Sequence, residues 1–187
     1  MKWYSKVEEY VKKIYIEAGK EQSIPHFLRT VYWIKRLRAD ADEALLIAGV
    51  AHDIERSSRG KTIWDEIKEK GFLEEEVLTD HMANSAKVIG KFLEKEGAPK
   101  GLVKRVKGLV SHHEIGGDYD QNLLMDADSI SFFENNAERF FARYSKIQGK
   151  AKIKEKFDWM FNRISSEERK GIVRTMYEQA IKMLEES

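Results

Sequence analysis

The sequence of 187 residues contains no cysteine. This absence excludes zinc ribbons, iron–sulfur clusters, thiol nucleophiles and a disulfide framework, so any metal ion must be held by histidine and carboxylate side chains. An excess of one sign of charge is also absent, since 33 Lys and Arg residues stand against 32 Asp and Glu. We therefore expect neither a nucleic-acid polymer nor an anionic membrane as a partner.

Long hydrophobic runs are missing as well. No apolar stretch approaches the roughly 18–20 residues that cross a bilayer. Charged residues interrupt the N-terminal segment 1–20, which excludes the apolar centre of a signal peptide. These absences predict a soluble, cytoplasmic protein. The oligomeric state stays open.

Helical signals run through the whole chain. Its only prolines, Pro25 and Pro99, stand where the first turn of a helix accepts them. Apolar residues recur at spacings of three and four, as at Val7, Val11 and Ile14. No segment combines period-two alternation with a tight hairpin turn. We predict one all-α domain over residues 1–187, because this length supports a single continuous core.

The histidines are the best candidates for chemistry. After Glu43, segment 41–54 is apolar on almost every side, as in a central helix, and its apolar run ends in His52-Asp53. We expect every histidine at a helix terminus, and we expect Asp126 and Asp128 to start a later helix. The five histidines are His26, His52, His81, His112 and His113.

Imidazole and carboxylate groups together are typical ligands of divalent ions such as Mn²⁺, Fe²⁺, Co²⁺, Ni²⁺ or Zn²⁺, and Mg²⁺ is a further candidate. One histidine on an apolar helix is more often a hydrogen-bonded core residue than a ligand. The combination of His26, the His52-Asp53 pair, three further histidines and a later aspartate is different. We interpret this combination as a shared metal site.

The order His26, His52-Asp53, Asp128 resembles the H…HD…D pattern of the HD-domain metal-dependent phosphohydrolases. The local matches are HFLRTVYWIKRL, LLIAGVAHDI and MDADSI, within residues 23–133. The resemblance implies an HD-domain-like helical bundle, with the N-terminal and C-terminal helices packed on that core. It also implies His26, His52, Asp53 and Asp128 as metal ligands, with Asp126 as the alternative to Asp128.

The remaining histidines leave two interpretations open. In two-metal branches of this family, histidines placed like His81, His112 and His113 bind a second ion, and in some one-metal members they contact phosphate. We expect all three to face the cavity. We favour one tightly held ion, because no glutamate stands in an obvious bridging position.

The resemblance also implies roles for nearby charged residues. Arg56 stands where the family often has a lysine, and its guanidinium is the first candidate for binding a phosphate. Arg59 and Lys61 are secondary candidates for the same role. Arg29, one turn after His26, is expected to contact a ligand carboxylate or a substrate phosphate. For Glu55 we favour exposure to solvent or pairing with Arg56 over a role in orienting water.

The function that follows is hydrolysis of a small phosphate mono- or diester, nucleotide-like in chemistry. Asp53 would relay a proton through a neighbouring water, while Arg56 and a member of the His81, His112, His113 set would hold the phosphate. Two alternatives use the same ligands: a di-iron oxygenase, and a metal-stabilised binding module without turnover.

Overall fold

A computed structural model describes residues 1–58 and 73–186. This part of the chain forms nine α-helices and two short 3-10 helices and contains no strand, which confirms the predicted all-α class. The 3-10 helices are Glu21–Ser23 and Ile54–Ser57. The α-helices are α1 (Lys2–Glu17), α2 (Ile24–Leu37), α3 (Glu43–Ala51), α4 (Glu75–Lys95), α5 (Lys100–Val110), α6 (Tyr119–Asn135), α7 (Ala137–Gln148), α8 (Lys150–Asn162) and α9 (Glu167–Glu186).

Helix α3 lies at the centre of a hydrophobic cluster that helices α1 to α5 form with the first half of α6. Its N-cap is Asp42, whose side chain accepts a hydrogen bond from the backbone N–H of Leu45. Every residue from Ala44 to Ala51 is buried, as the uniformly apolar sequence predicts. Gly49 permits the close contact with α2, because a Cβ there would lie 2.5 Å from Cδ1 of Ile34. This packing holds the His52-Asp53 end of α3 in place.

Helix α6 belongs to two hydrophobic clusters. Leu123 and Ala127 in its first half pack with helices α1 to α5, whereas Ile130 and Phe133 in its second half pack with α7, α8 and α9. Trp33 of α2 packs against both clusters. The middle of α6 therefore lies where the two clusters meet.

Two helices begin earlier than the sequence pattern predicts. Helix α6 starts at Tyr119, where Asp118 and Gln121 form a capping box, so Asp128 lies in mid-helix rather than at a start. Helix α4 starts at Glu75, so His81 lies in its second turn. The expectation that every histidine lies at a helix terminus is therefore wrong. Among the described residues, no helix combines the length and hydrophobicity needed to span a bilayer.

Candidate metal centre

The side chains of His52 and Asp53 extend from the end of α3, and that of His52 is fully buried. Its Nδ1 lies 2.9 Å from the backbone oxygen of Gly49. A carbonyl only accepts, so Nδ1 carries the donated proton. The opposite nitrogen, Nε2, has no hydrogen-bond partner among the described residues and lies 3.3 Å from Oδ1 of Asp128. His52 thus presents Nε2 to the carboxylates.

Burial opposes a positive charge on His52, yet the carboxylates of Asp128 and Asp53 raise its pKa to about 9. The additional proton occupies Nε2, the atom that faces these carboxylates. A cation bound there would displace the proton, because a histidine ligand must be deprotonated at the coordinating nitrogen.

His26 of α2 is oriented by a serine of α6. The hydroxyl of Ser131 donates to the backbone oxygen of His26 over 2.8 Å, and the same Oγ lies 2.9 Å from Nδ1 of His26. Because the hydroxyl hydrogen is already used, Oγ accepts from Nδ1–H. Nε2 of His26 then lies 3.1 Å from Oδ1 of Asp128.

Asp128 rather than Asp126 completes this part of the centre. Its Oδ1 faces the two imidazoles, while its Oδ2 accepts a hydrogen bond from Arg163. Burial opposes its charge, but His52 and Arg163 hold the pKa of Asp128 well below its usual range. Asp126 is turned to the other side of α6, where it accepts from Ser165 and Arg169.

A second group of potential ligands shares Asp53 with the first. His81 lies between two carboxylates, with Nε2 2.8 Å from Oδ1 of Asp53 and Nδ1 2.5 Å from Oε1 of Glu55. His113 contacts the backbone oxygen of Val110 through Nδ1 at 2.7 Å, and its Nε2 lies 3.7 Å from Oδ1 of Asp53.

Within the described part of the chain, two sets of three residues can each hold an ion, with ligand atoms within 4.8 Å of one another. The first set is His26, His52 and Asp53, and the second is Asp53, His81 and His113. All five residues are buried. The chain therefore has a buried histidine and aspartate cluster that can bind metal, with Asp53 in both sets.

His112 does not join the second set. Its Nδ1 lies 3.1 Å from the backbone oxygen of Gly108, and it is half-buried, whereas the neighbouring His113 is fully buried in the cluster. Both residues follow the end of α5, and consecutive side chains in helical geometry point about 100° apart. The expectation that both face the cavity is therefore wrong for His112, and His113 faces Asp53 in the ligand cluster without lining the cavity.

Glu55 and Glu114 are buried acidic residues beside the second set. The favoured exposure of Glu55 to solvent is wrong, since its carboxylate contacts His81. Oε1 of Glu114 lies 3.9 Å from Nε2 of both His81 and His113. Despite burial, Lys156 and Arg163 lower the pKa of Glu114, which keeps it ionised. The absence of a nearby glutamate, our reason for favouring one ion, therefore does not hold.

Arginines neutralise these carboxylates. Arg56 lies 3.0 Å from Oδ2 of Asp53 and 3.4 Å from Oε1 of Glu114, and its side chain is 41% exposed. Arg163, which the sequence patterns did not reveal, is only 6% exposed and binds both Glu114 and Asp128. It lies just after α8, far from any motif residue in sequence, so only the folded arrangement identifies it.

The structure does not bring Arg29 to the centre. Its guanidinium makes two hydrogen bonds, of 2.9 and 2.8 Å, to the carboxylate of Glu134. Glu134 also accepts from the indole of Trp33. The expected pairing of Arg29 with a ligand carboxylate is therefore wrong. Arg59 and Lys61 lie outside the described residues.

A cavity of about 390 Å³ opens beside the two sets. Asp53, His81 and Asp128 line it, together with Arg56. Helices α7 and α8 contribute further lining residues, which include Arg139, Phe140, Arg143, Tyr144 and Lys156. The cluster is thus accessible to a small molecule through a cavity with both cationic and aromatic walls.

The model of one protein family, described as "Domain of unknown function (DUF4202)", matches residues 10–184. No curated protein matches the chain. No solved structure matches it either.

Proposed function

We propose a function for this chain, which belongs to the DUF4202 family: it is a divalent-metal-dependent phosphohydrolase of a small, nucleotide-like phosphate mono- or diester. The observation that carries the proposal is the pair of ligand sets that share Asp53 and border a cation-lined cavity. The resemblance to HD-domain phosphohydrolases supports the same reaction, because the residues on which it rests lie together.

The donor atoms present fit a divalent ion. Nε2 of His52 and of His113 are buried without a hydrogen-bond partner among the described residues, and both lie near carboxylate oxygens. Backbone carbonyls hold the opposite nitrogens of both rings, an arrangement typical of metal-binding histidines. One ion would be held by His26, His52, Asp53 and Asp128, and another by Asp53, His81 and His113.

A divalent ion in such a site lowers the pKa of a bound water and neutralises negative charge on a phosphoryl oxygen. Asp53 contributes as a ligand, since Arg56 and His52 outweigh burial and hold its pKa well below the usual range. A carboxylate with so low a pKa is a weak proton acceptor at neutral pH. This argues against the proton relay that was expected of Asp53 from the sequence.

Arg56 is the nearest candidate for orienting the substrate. Its guanidinium contacts both Asp53 and Glu114. The side chain is also partly exposed and lines the cavity. A guanidinium of this kind can hold two phosphate oxygens at once. His81, the histidine of the second set that lines the cavity, is available as a ligand or as a phosphate contact.

The α7 part of the cavity wall supports a nucleotide-like substrate. Phe140 and Tyr144 make this part of the lining aromatic, and Arg139 and Arg143 give it positive charge, a combination compatible with a flat ring that carries phosphate. These side chains come from one helix, α7, so they present one continuous surface.

The test begins with anaerobic purification and elemental analysis. The protein is then assayed for phosphate release from a panel of nucleotides and aryl phosphates with Mn²⁺, Co²⁺ or Fe²⁺. We expect hydrolysis that requires a divalent ion, proceeds without O₂ and is lost on chelation. Activity that needs reduced iron and consumes O₂ without releasing phosphate would indicate a di-iron oxygenase instead. Metal binding with no turnover of any kind would indicate a binding module.

A further inference from the structure

Lys156 is a buried lysine in the wall of the cavity. It belongs to α8, is only 7% exposed and lines the same cavity as Asp53, His81 and Asp128. Its Nζ lies 4.2 Å from the ring centroid of Trp159. Within residues 1–58 and 73–186 its ammonium group has no hydrogen-bond acceptor and no carboxylate within ion-pair distance. Burying an ammonium group without such a partner is costly. Pairing within the protein therefore does not explain why a lysine occupies this position.

The other two buried or half-buried cations near the centre are already engaged. Arg56 binds Asp53 and Glu114, and Arg163 binds Glu114 and Asp128. Glu114 and Asp128 stabilise the charge of Lys156 electrostatically, but neither carboxylate contacts its ammonium group. Among these three cations, Lys156 therefore has the most unused hydrogen-bonding capacity, with three N–H donors on a flexible chain.

We propose that Lys156 binds an anionic phosphate group, held in the cavity between the ligand cluster and α8. This inference deepens the proposed function, on which it rests, by naming a residue of α8 that takes the phosphate. When a divalent ion shares the charge of Asp128, that carboxylate attracts the ammonium of Lys156 less strongly. A tetrahedral phosphate then supplies the missing counter-charge, and its oxygens can accept from Nζ.

The charge needed for this role is present at neutral pH. Burial lowers the pKa of Lys156 to about 8, with Arg163 and Arg56 adding to the effect and Glu114 opposing it. Most copies of the protein therefore carry the ammonium at pH 7. A bound phosphate would stabilise that form further.

The experiment measures binding of inorganic phosphate to metal-loaded protein by isothermal titration calorimetry at pH 7. Metal content is first shown to be equal in all variants by elemental analysis. We expect Lys156→Met to weaken phosphate binding about tenfold or more, because a charge-assisted contact is lost, and Lys156→Arg to retain most of it. Lys154→Met is the matched control on the same helix, since Lys154 is exposed and pairs with Asp158. It should leave phosphate binding unchanged.

Equal phosphate affinity in Lys156→Met and wild-type protein would overturn the proposal, as would wild-type protein that binds no phosphate at millimolar concentration. If Lys156→Met fails to fold, Lys156→Gln replaces it in the same comparison. Because binding is measured without turnover, the result is independent of the reaction. If Lys156→Met loses phosphate binding but wild-type protein hydrolyses nothing, this inference is supported and the proposed hydrolase is overturned. If wild-type protein hydrolyses a phosphate ester and Lys156→Met changes neither hydrolysis nor phosphate binding, the hydrolase is supported and this inference is overturned.

Discussion

Nε2 of His81 lies 2.8 Å from Oδ1 of Asp53, although the two residues are 28 positions apart in sequence. The contact joins the aspartate that follows α3 to a histidine in the second turn of α4. It makes Asp53 a neighbour of His81 on one side and of His52 on the other. One carboxylate therefore has the position needed to serve two ions.

The first prediction concerns metal content. His113→Ala should lower the bound metal per chain, because it removes a ligand whose Nε2 faces Asp53. His112→Ala is the matched control, since His112 contacts the backbone of α5 instead. Both variants are measured by elemental analysis after dialysis. A loss of metal in His112→Ala, with none in His113→Ala, would contradict the assignment of His113 to the second set.

The second prediction tests the hydrogen bond that orients His26. Ser131→Ala should weaken metal affinity by about 10- to 100-fold, because partners that fix the orientation of a histidine ligand typically have effects of this size. Ser85→Ala provides the control, since the hydroxyl of Ser85 is buried without a partner among the described residues. A competition assay with a fluorescent chelator measures both. Equal affinities in the two variants would show that Ser131 does not position the ring.

The third prediction concerns stability. Arg163→Met should destabilise the metal-free protein by about 3–5 kcal/mol, because it leaves the buried carboxylate of Asp128 without its arginine and Glu114 with only the longer contact to Arg56. Saturating metal should reduce this loss, since a divalent ion replaces part of the missing positive charge. Urea unfolding with and without metal measures the effect.

Arg174→Met is the control for this variant, because Arg174 pairs with Glu167 at the exposed surface. It should change the free energy of unfolding by less than about 1 kcal/mol. If metal does not diminish the destabilisation by Arg163→Met, then a bound ion does not replace the charge that Arg163 supplies to these carboxylates.

The fourth prediction follows from the lowered pKa of Lys156, which is about 8 in the folded protein against 10.5 ordinarily. Below pH 8 the lysine is charged in both states, and the folded state bears the full cost of burial. Between about pH 8 and 10.5 the folded state loses the proton first, so wild-type stability rises relative to Lys156→Met. The variant's advantage should thus be greatest below pH 8, on the order of 3 kcal/mol, and vanish near pH 10.5.

Thermal unfolding of metal-free protein across this pH range provides the measurement. Lys154→Met is again a suitable comparison, because Lys154 is exposed and should show no such pH dependence. A variant advantage that grows with rising pH would show that burial does not depress the lysine pKa.

The central apolar segment was well predicted from sequence. Residues 44–51 are uniformly apolar, and this part of the helix is buried on all sides, which places His52-Asp53 in the interior of the protein. Local patterns were less reliable at α6. The capping box at Asp118 and Gln121 sets its start, and it outweighs any preference of Asp126 for a helix N-terminus.

Contacts between distant parts of the chain could not be predicted from these patterns. In the sequence Glu55 is one more charged residue after a helix, but folding buries it against His81. Arg163 and Lys156 come from the C-terminal helical region, where no motif marks them, and they reach the site only because α6 is shared by two clusters. The choice between His112 and His113 depended on one helical step.

Because α6 belongs to both hydrophobic clusters, the ligand residues and part of the cavity wall come from different groups of helices. Helices α1 to α5 and the segments that follow them carry the residues of both ligand sets, while α7 and α8 supply another part of the cavity wall. Substitutions on that wall can change which molecules fit without altering the packing behind His52, Asp53, His81 or His113. The fold therefore allows the shape of the cavity to change through the C-terminal helices while the two ligand sets keep their positions.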